Sequence, residues 1–239
     1  MRQADARTGT GAVPPDVTGT EDTLELRLTE ELLALLGDAP AAAAAREDAS
    51  ALVGDPGAWG PVTTSAGLFR LVAVEPERDL AVISRWMNDP AVAAFWELAG
   101  PESVTAAHIR PQLAGDGRSV PCLGVLGGTP MSYWEIYRAD LDPLARHYPA
   151  RPHDVGVHLL IGGVGNRGRG IGGVLLRAVS DLVLDNRPLC GRVVAEPDLR
   201  NTPSVSAFLS AGFRFCAEVD LPDKQAALMV RDRAHREHL

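Results

Sequence analysis

The chain has 239 residues, 46% of them hydrophobic, with a formal net charge of −8 and three cysteines. That length can bury a substantial core in one domain with an appendage, no apolar run approaches the roughly 20 residues of a membrane span, and the acidic balance argues against a nucleic-acid partner. Cys122, Cys190 and Cys216 are scattered and odd in number, so neither a disulfide framework nor a metal site is expected, and with no apolar leader at the N-terminus a cytoplasmic location is the simpler reading.

Residues 1–20 read as a Gly-, Pro- and Thr-rich tail. Residues 21–64 read as an N-terminal extension: a short strand at 24–28, a helical turn or two ending at Gly37, then an alanine run and a Gly/Pro loop. The main domain is expected over 65–239. It opens with a strand at 68–74. A helix follows from Pro76, with Leu80, Ile83, Trp86 and Met87 at helical spacing and Asp89-Pro90 at its end. A second helix at 104–115 is interrupted by Pro111. Gly127-Gly128 joins two strands, 119–126 and 130–139, into an antiparallel hairpin. Residues 154–162 form a strand, 170–186 a helix, 191–197 a strand, and 201–213 a helix closing at Gly212. Two strands, 214–221 and 225–233, end the chain. No internal repeat is visible.

The stretch "HLLIGGVGNRGRGIGGVLL", 158–176, lies between a strand and a helix. Its backbone N–H groups and the helix N-terminus are suited to a phosphate. It contains G-x-G-x-x-G twice and R-x-x-G-x-G once, the latter from Arg167 through Gly170 to Gly172. A dinucleotide fold fits poorly. That fold opens its domain with the motif, and the following carboxylate, Glu196, lies 28 residues past Gly168 where about 20 is usual. The upstream hairpin does not belong to it either. Arg167 and Arg169 suit a highly phosphorylated ligand.

The R-x-x-G-x-G loop, followed by "VVAEPDLRNTPSVSAFLSAGF", resembles the GNAT (GCN5-related) N-acyltransferases over residues 65–233. Five stretches, "WMNDPAVAAFWEL", "YWEIYRADLD", "DVGVHLLIG", "RVVAEPDLRN" and "DLPDKQAALMVRDR", resemble the siderophore N-acyltransferases, the aerobactin-type N-hydroxylysine acetyltransferases and mycobactin-type lysine acyltransferases. The resemblance implies an α/β GNAT fold: a mixed, mostly antiparallel central sheet flanked by helices, with a parallel strand pair splayed around acyl-CoA. It implies acetyl-CoA or another acyl-CoA as co-substrate, no metal, a small-molecule amine or hydroxylamine acceptor, and a monomer or homodimer. Leu160, Ile161, Gly162, Arg167, Gly168, Arg169, Gly170, Ile171, Gly172, Gly173, Asn201 and Phe208 fall where that family holds the acyl carrier. Phe208 stands where many of these enzymes place a tyrosine that protonates the leaving thiolate. Asn88 and Ala91 stand where close relatives often carry histidines.

Such a reaction requires proximity, oxyanion stabilisation and a proton acceptor. Along 154–162 the side chains of Val155, Val157, Leu159 and Ile161 share one face, and Gly156, His158 and Leu160 the other. Small Gly156 leaves His158 facing a space. The resemblance assigns His158 as general base, working as neutral imidazole, and Asp198 as substrate anchor or orienter. A core histidine with satisfied hydrogen bonds and a helix-start aspartate are the plainer alternatives. Asn88, Trp96, Trp134, Glu135 and Tyr137 are candidates for the acceptor pocket, with Glu135 and Tyr137 on one strand face, Trp134 on the other, and Glu135 placed for a substrate cation. The rival readings are an aminoglycoside 6'-N-acetyltransferase, a non-catalytic acyl-CoA-binding module, and a hydroxylamine or hydrazine acceptor in another natural-product route.

Overall fold

In the computed structural model residues 53–236 are described, all within the compact unit Ala44–Leu239, and an eight-stranded sheet organises them. The expected strand at 24–28 and helical turn before Gly37 lie outside the described residues. In chain order the elements are β1 (Val62–Thr64), β2 (Gly67–Ala73), α1 (Pro76–Met87), α2 (Pro90–Trp96), α3 (Glu102–Ala114), β3 (Ser119–Leu126), β4 (Thr129–Arg138), β5 (Val155–Ile161), α4 (Ile171–Asn186), β6 (Arg192–Ala195), α5 (Thr202–Ser210), β7 (Arg214–Asp220) and β8 (Gln225–Asp232). The sheet order is β1-β2-β3-β4-β5-β6-β8-β7. Every neighbouring pair is antiparallel except β5 and β6. No helix among the described residues is long and apolar enough to cross a membrane.

The β3–β4 hairpin turns at Gly127 and Gly128, with φ of 55° and 85°, the paired positive values of a type I′ turn. Helix α4 is the crossover that makes β5 and β6 parallel. Strand β4 is buried on both faces from Met131 onward, because helices cover the sheet on both sides. Trp134 and Ile136 pack with Val157, Leu175 and Val179 toward α4, while Tyr133 packs with Ile83, Met87 and Ile109 toward α1 and α3.

Three boundaries differ from expectation. The packed region begins before residue 65: Val53 is in the core and β1 pairs with β2 from Val62↔Phe69. Asp89-Pro90 ends α1 and also starts α2: Asp89 Oδ1 accepts from the Ala91 N–H (3.0 Å) and Pro90 occupies the first helical position, where its missing donor costs nothing. Pro111 does not interrupt α3, which runs through it to Ala114. Only the last turn remains beyond the proline, so one lost backbone bond does not unwind the helix.

Candidate active site

Strands β5 and β6 stay together for two residue pairs, Val155↔Val193 and Gly156↔Val194, and then part. Beyond that point the β6-facing edge of β5 is open. The Gly162 N–H donates to the Met131 carbonyl in the β4 ladder (2.8 Å), so by strand alternation the Ile161 and Leu159 N–H groups point the other way, into the gap. A cavity of about 760 Å³ fills it. Its walls come from Leu159, Leu160 and Ile161 on β5, Ala91, Val92, Phe95 and Trp96 on α2, Asn201, Pro203, Ser204, Ser206, Ala207 and Ser210 around α5, and Arg167, Gly168 and Gly170 to Gly173 at the start of α4.

The α4 N-terminus opens into this cavity without a side-chain cap. Gly170 precedes it at φ 74°, and no side chain satisfies the first-turn N–H groups of Ile171, Gly172 and Gly173. Gly168 and Gly170 border open space, so the loop needs glycine there for positive φ rather than for room. Gly173 is different: a Cβ would lie 2.1 Å from Ser210 Oγ, so glycine lets α5 approach α4. Arg167 ties the loop down. Its Nε donates to the Ile161 carbonyl (2.9 Å) and its Nη1 to Asp89 (2.8 Å), and its Nη2 is buried without a partner. The Arg167 hydrogen bond holds the Asp89 carboxyl below its ordinary range.

His158 lies beyond the cavity wall, next to Trp96 (ring centroids 6.1 Å apart). Register pairs it directly with Glu135 on β4. Its Nδ1 is 3.0 Å from Glu135 Oε2 and its Nε2 is 2.5 Å from Glu196 Oε1. Carboxylates only accept, so both ring nitrogens carry protons. Burial opposes that charge, but Glu196 and Glu135 outweigh it and push the His158 pKa up to about 10. Burial likewise opposes ionisation of the two acids. Hydrogen bonds from His108 and His158 nevertheless hold Glu135 far below the carboxylate range, and the His158 charge holds Glu196 at about 2. Glu135 Oε1 also accepts from the Tyr133 hydroxyl (2.9 Å) and Gln112 Nε2 (2.7 Å), and Glu196 Oε2 accepts from the Tyr137 hydroxyl (2.8 Å). Lys224, from the β7–β8 turn, lies 3.7 Å from Glu196 Oε1. The His158 side chain is 35% exposed and that of His108 33%, whereas the two carboxylates are each 7% exposed, so the imidazoles and not the acids meet a solute, and His158 is the one beside the groove.

Residues 75–221 match the acetyltransferase (GNAT) domain model. The chain belongs to the GNAT acetyltransferase family. It is 34% identical over 173 residues to the lysine N-acyltransferase MbtK of Mycobacterium sp. (strain MCS), covering 72% of this chain and 70% of that protein. It is 37% identical over 167 residues to the N(6)-hydroxylysine O-acetyltransferase of Escherichia coli, covering 70% of this chain and 52% of that protein. Among solved structures, aminoglycoside acetyltransferase AAC(6')-Ib in complex with coenzyme A superposes with a TM-score of 0.64 at 25% identity, covering 71% of this chain and 98% of that one. The GNAT chain is thus an acyltransferase by family, and its mixed sheet with one parallel pair is the expected architecture.

Within this GNAT site the expected residues divide. Leu160, Ile161, Arg167, Gly168, Gly170, Ile171, Gly172, Gly173 and Asn201 all line the cavity, and Trp96 both lines it and touches His158. Arg169 is exposed and outside the cavity wall. Gly162 is a packing glycine, since a Cβ there would lie 2.1 Å from the Trp86 ring. Phe208 does not reach the cavity: the apolar face of α5 turns it onto Phe213 in the core (centroids 5.0 Å apart). Trp134 is fully buried on the α4 face, where alternation sends it away from Glu135. Asn88 is spent on fastening Gly100, donating to its carbonyl (2.9 Å) and accepting from its N–H (2.9 Å). Glu135 is not open to a substrate cation, because four partners occupy its two oxygens. The space beside Gly156 is filled: a Cβ there would lie 2.1 Å from the Tyr137 ring, which tilts against His158. Tyr137 is a buried donor to Glu196 rather than a wall. Asp198 pairs with Arg200 (2.6 Å) and not with His158, whose carboxylate partners are Glu135 and Glu196.

Glu196, His108, Tyr133, Gln112 and Lys224 are the members of the network that sequence reasoning did not assign to the site. The signal for Glu196 was present: it is a carboxylate directly after the wholly buried "RVVA" strand. The donor set fits an acyl carrier. It comprises an uncapped helix N-terminus for a pyrophosphate, one orphaned Arg167 nitrogen, and an apolar groove along an open strand edge.

Proposed function

We propose that the chain transfers an acyl group, acetyl in the simplest case, from acyl-CoA to the N-hydroxylated side-chain amine of a lysine-like substrate, in siderophore or related natural-product biosynthesis. The observation that carries this reading is His158, doubly protonated between Glu135 and Glu196, one residue from the wall of a groove that begins at the uncapped N-terminus of α4. The name of the mycobacterial relative supports a lysine-like acceptor, and that of the E. coli relative its N-hydroxylation.

The pyrophosphate takes the first-turn N–H groups of α4, and the pantetheine arm follows the open edge of β5. The Leu159 and Ile161 N–H groups are placed to bond that arm or to polarise the thioester carbonyl. The acceptor nitrogen attacks the carbonyl carbon, the C–S bond breaks, and the nitrogen gives up one proton. An already protonated His158 cannot take that proton from an ammonium ion. The acceptor must therefore arrive neutral, as a weakly basic hydroxylamine does at neutral pH and an alkylamine does not. His158 gives its Nδ1 proton to the departing thiolate and then takes the nitrogen's proton at the vacated Nδ1, while Glu196 on Nε2 stabilises the charged ring. This protonation of the thiolate by His158 removes the need for a tyrosine at Phe208. To touch a substrate the ring exchanges its longer contact, the one to Glu135.

The test is CoA-thiol release from acetyl-CoA with N6-hydroxylysine, lysine and an aminoglycoside in parallel. Release with the hydroxylamine alone is expected. The aminoglycoside reading draws on the structural likeness to AAC(6')-Ib, and release with the sugar would establish it instead. No release from a protein that binds CoA would leave the non-catalytic module.

A further inference from the structure

Lysine occurs once in this chain, at Lys224, against 22 arginines. Elsewhere the buried aspartates are closed by guanidinium groups: Asp79 by Arg78, Asp154 by Arg192, Asp198 by Arg200. A guanidinium fork spends two parallel donors on one carboxylate, as Arg192 does on Asp154 (2.8 and 2.8 Å). Lys224 stands differently. Its ammonium is 3.7 Å from Glu196 Oε1, beyond hydrogen-bond length, and among the described residues it has no hydrogen-bond partner. Its side chain is 24% exposed. The stem is held where the Leu221 N–H donates to the Lys224 carbonyl (2.9 Å) at the β7–β8 turn. Three donors therefore remain free beside the oxygen that holds His158.

The charges around this point balance. Glu135 and Glu196 are negative, and His158 and Lys224 are positive. Asp198 also feels the lysine but is satisfied by Arg200. An acceptor nitrogen arriving beside His158 meets a cation on the Lys224 side. A protonated primary amine is repelled there, and like charges brought together are a strong device for rejecting a ligand. A hydroxylamine is neutral, and its oxygen accepts a hydrogen bond from an ammonium with donors to spare. An arginine would have spent those donors on Glu196.

We propose that Lys224 determines acceptor specificity: its ammonium, held 3.7 Å from Glu196 with free donors, selects the neutral N-hydroxylated nitrogen over the protonated amine. This rests on the acyl-transfer reading above and names the residue that chooses the acceptor within it.

The experiment compares kcat/KM for N6-hydroxylysine, for lysine and for an aminoglycoside, each with acetyl-CoA, in the full-length wild type and in Lys224→Met, Lys224→Gln and Lys224→Arg. Both charge-removing variants are expected to lose at least about tenfold of the hydroxylysine-to-lysine preference. Lys224→Arg is expected to keep the discrimination but bind the hydroxylamine more weakly. The ratio within one protein is the readout because a damaged fold lowers both acceptors together. Removal variants that lower both in proportion, or change neither, overturn the assignment. A wild type that acetylates the aminoglycoside and neither lysine compound overturns the acyl-acceptor reading itself, and Lys224 with it.

Discussion

Both nitrogens of His158 face carboxylate oxygens, so the ring has no lone pair to offer in the state seen here. Glu196, bound to Nε2, keeps the ring charged. His158→Ala and Glu196→Gln are each expected to lower kcat by about 10²-fold or more while leaving the KM for acyl-CoA unchanged, as steady-state kinetics would show. A Glu196→Gln enzyme with wild-type kcat would remove Glu196 from the chemistry. Gly156→Ala tests the support of the pair. The added methyl would lie 2.1 Å from the Tyr137 ring and must push it aside, breaking the hydroxyl bond to Glu196. Its expected cost is a lower kcat together with a lower Tm. At this scale the sequence shows the chemistry-bearing types but not their pairing. His158 and Glu135 are legible as polar residues on apolar strands. Their partnership depends on the β4–β5 register, and that of His158 with Glu196 depends on how far β5 and β6 splay, neither of which a residue pattern encodes.

The N-terminus of α4 and the loop before it form the second level. Gly170 holds φ 74°, a conformation that costs an L side chain roughly 1–2 kcal/mol, and it immediately precedes the free N–H groups. Gly170→Ala is expected to raise the KM for acyl-CoA several-fold, within the roughly tenfold that 1.4 kcal/mol represents, with kcat nearly unchanged; equal KM values would detach the loop from carrier binding. Arg167 acts on the same loop through Asp89 and the Ile161 carbonyl, so Arg167→Ala and Asp89→Asn are both expected to raise that KM. Elements with strong local punctuation are readable from the chain: the Gly127-Gly128 hairpin, α4 between its glycines and β6, and α5 closing before Gly212. Helix α2 is the counter-example. Asp89-Pro90 is a stop for one helix and a cap with a first-turn proline for the next, and the same dipeptide carries both meanings.

Across the whole molecule the buried network links stability to pH. The folded His158 pKa lies above its ordinary 6.5, at about 10, so its stabilisation is complete below pH 6.5 and is lost as pH rises through 10. Glu196 is lowered from 4.5 to about 2, so its contribution is present above pH 4.5 and is lost as pH falls through 2. The Tm is therefore expected to be highest between these limits and to decline on both sides, and Glu196→Gln to flatten both limbs. A variant whose Tm profile parallels wild type would show that the network does not couple to folding. At this scale the mixed sheet with its single parallel pair was what the family resemblance implied, whereas the packing of Val53 and β1 ahead of residue 65 was hidden in a Gly/Pro stretch with no periodicity. The measurement that bears most directly on the proposed chemistry is the mass spectrum of the product formed from acetyl-CoA and N6-hydroxylysine by wild-type enzyme and by Glu196→Gln. A single N-acetyl hydroxamate, formed by wild type and nearly absent with the variant, is the expected result. An O-acetyl ester, an acetylated product equally abundant with the variant, or no CoA-dependent product would contradict it.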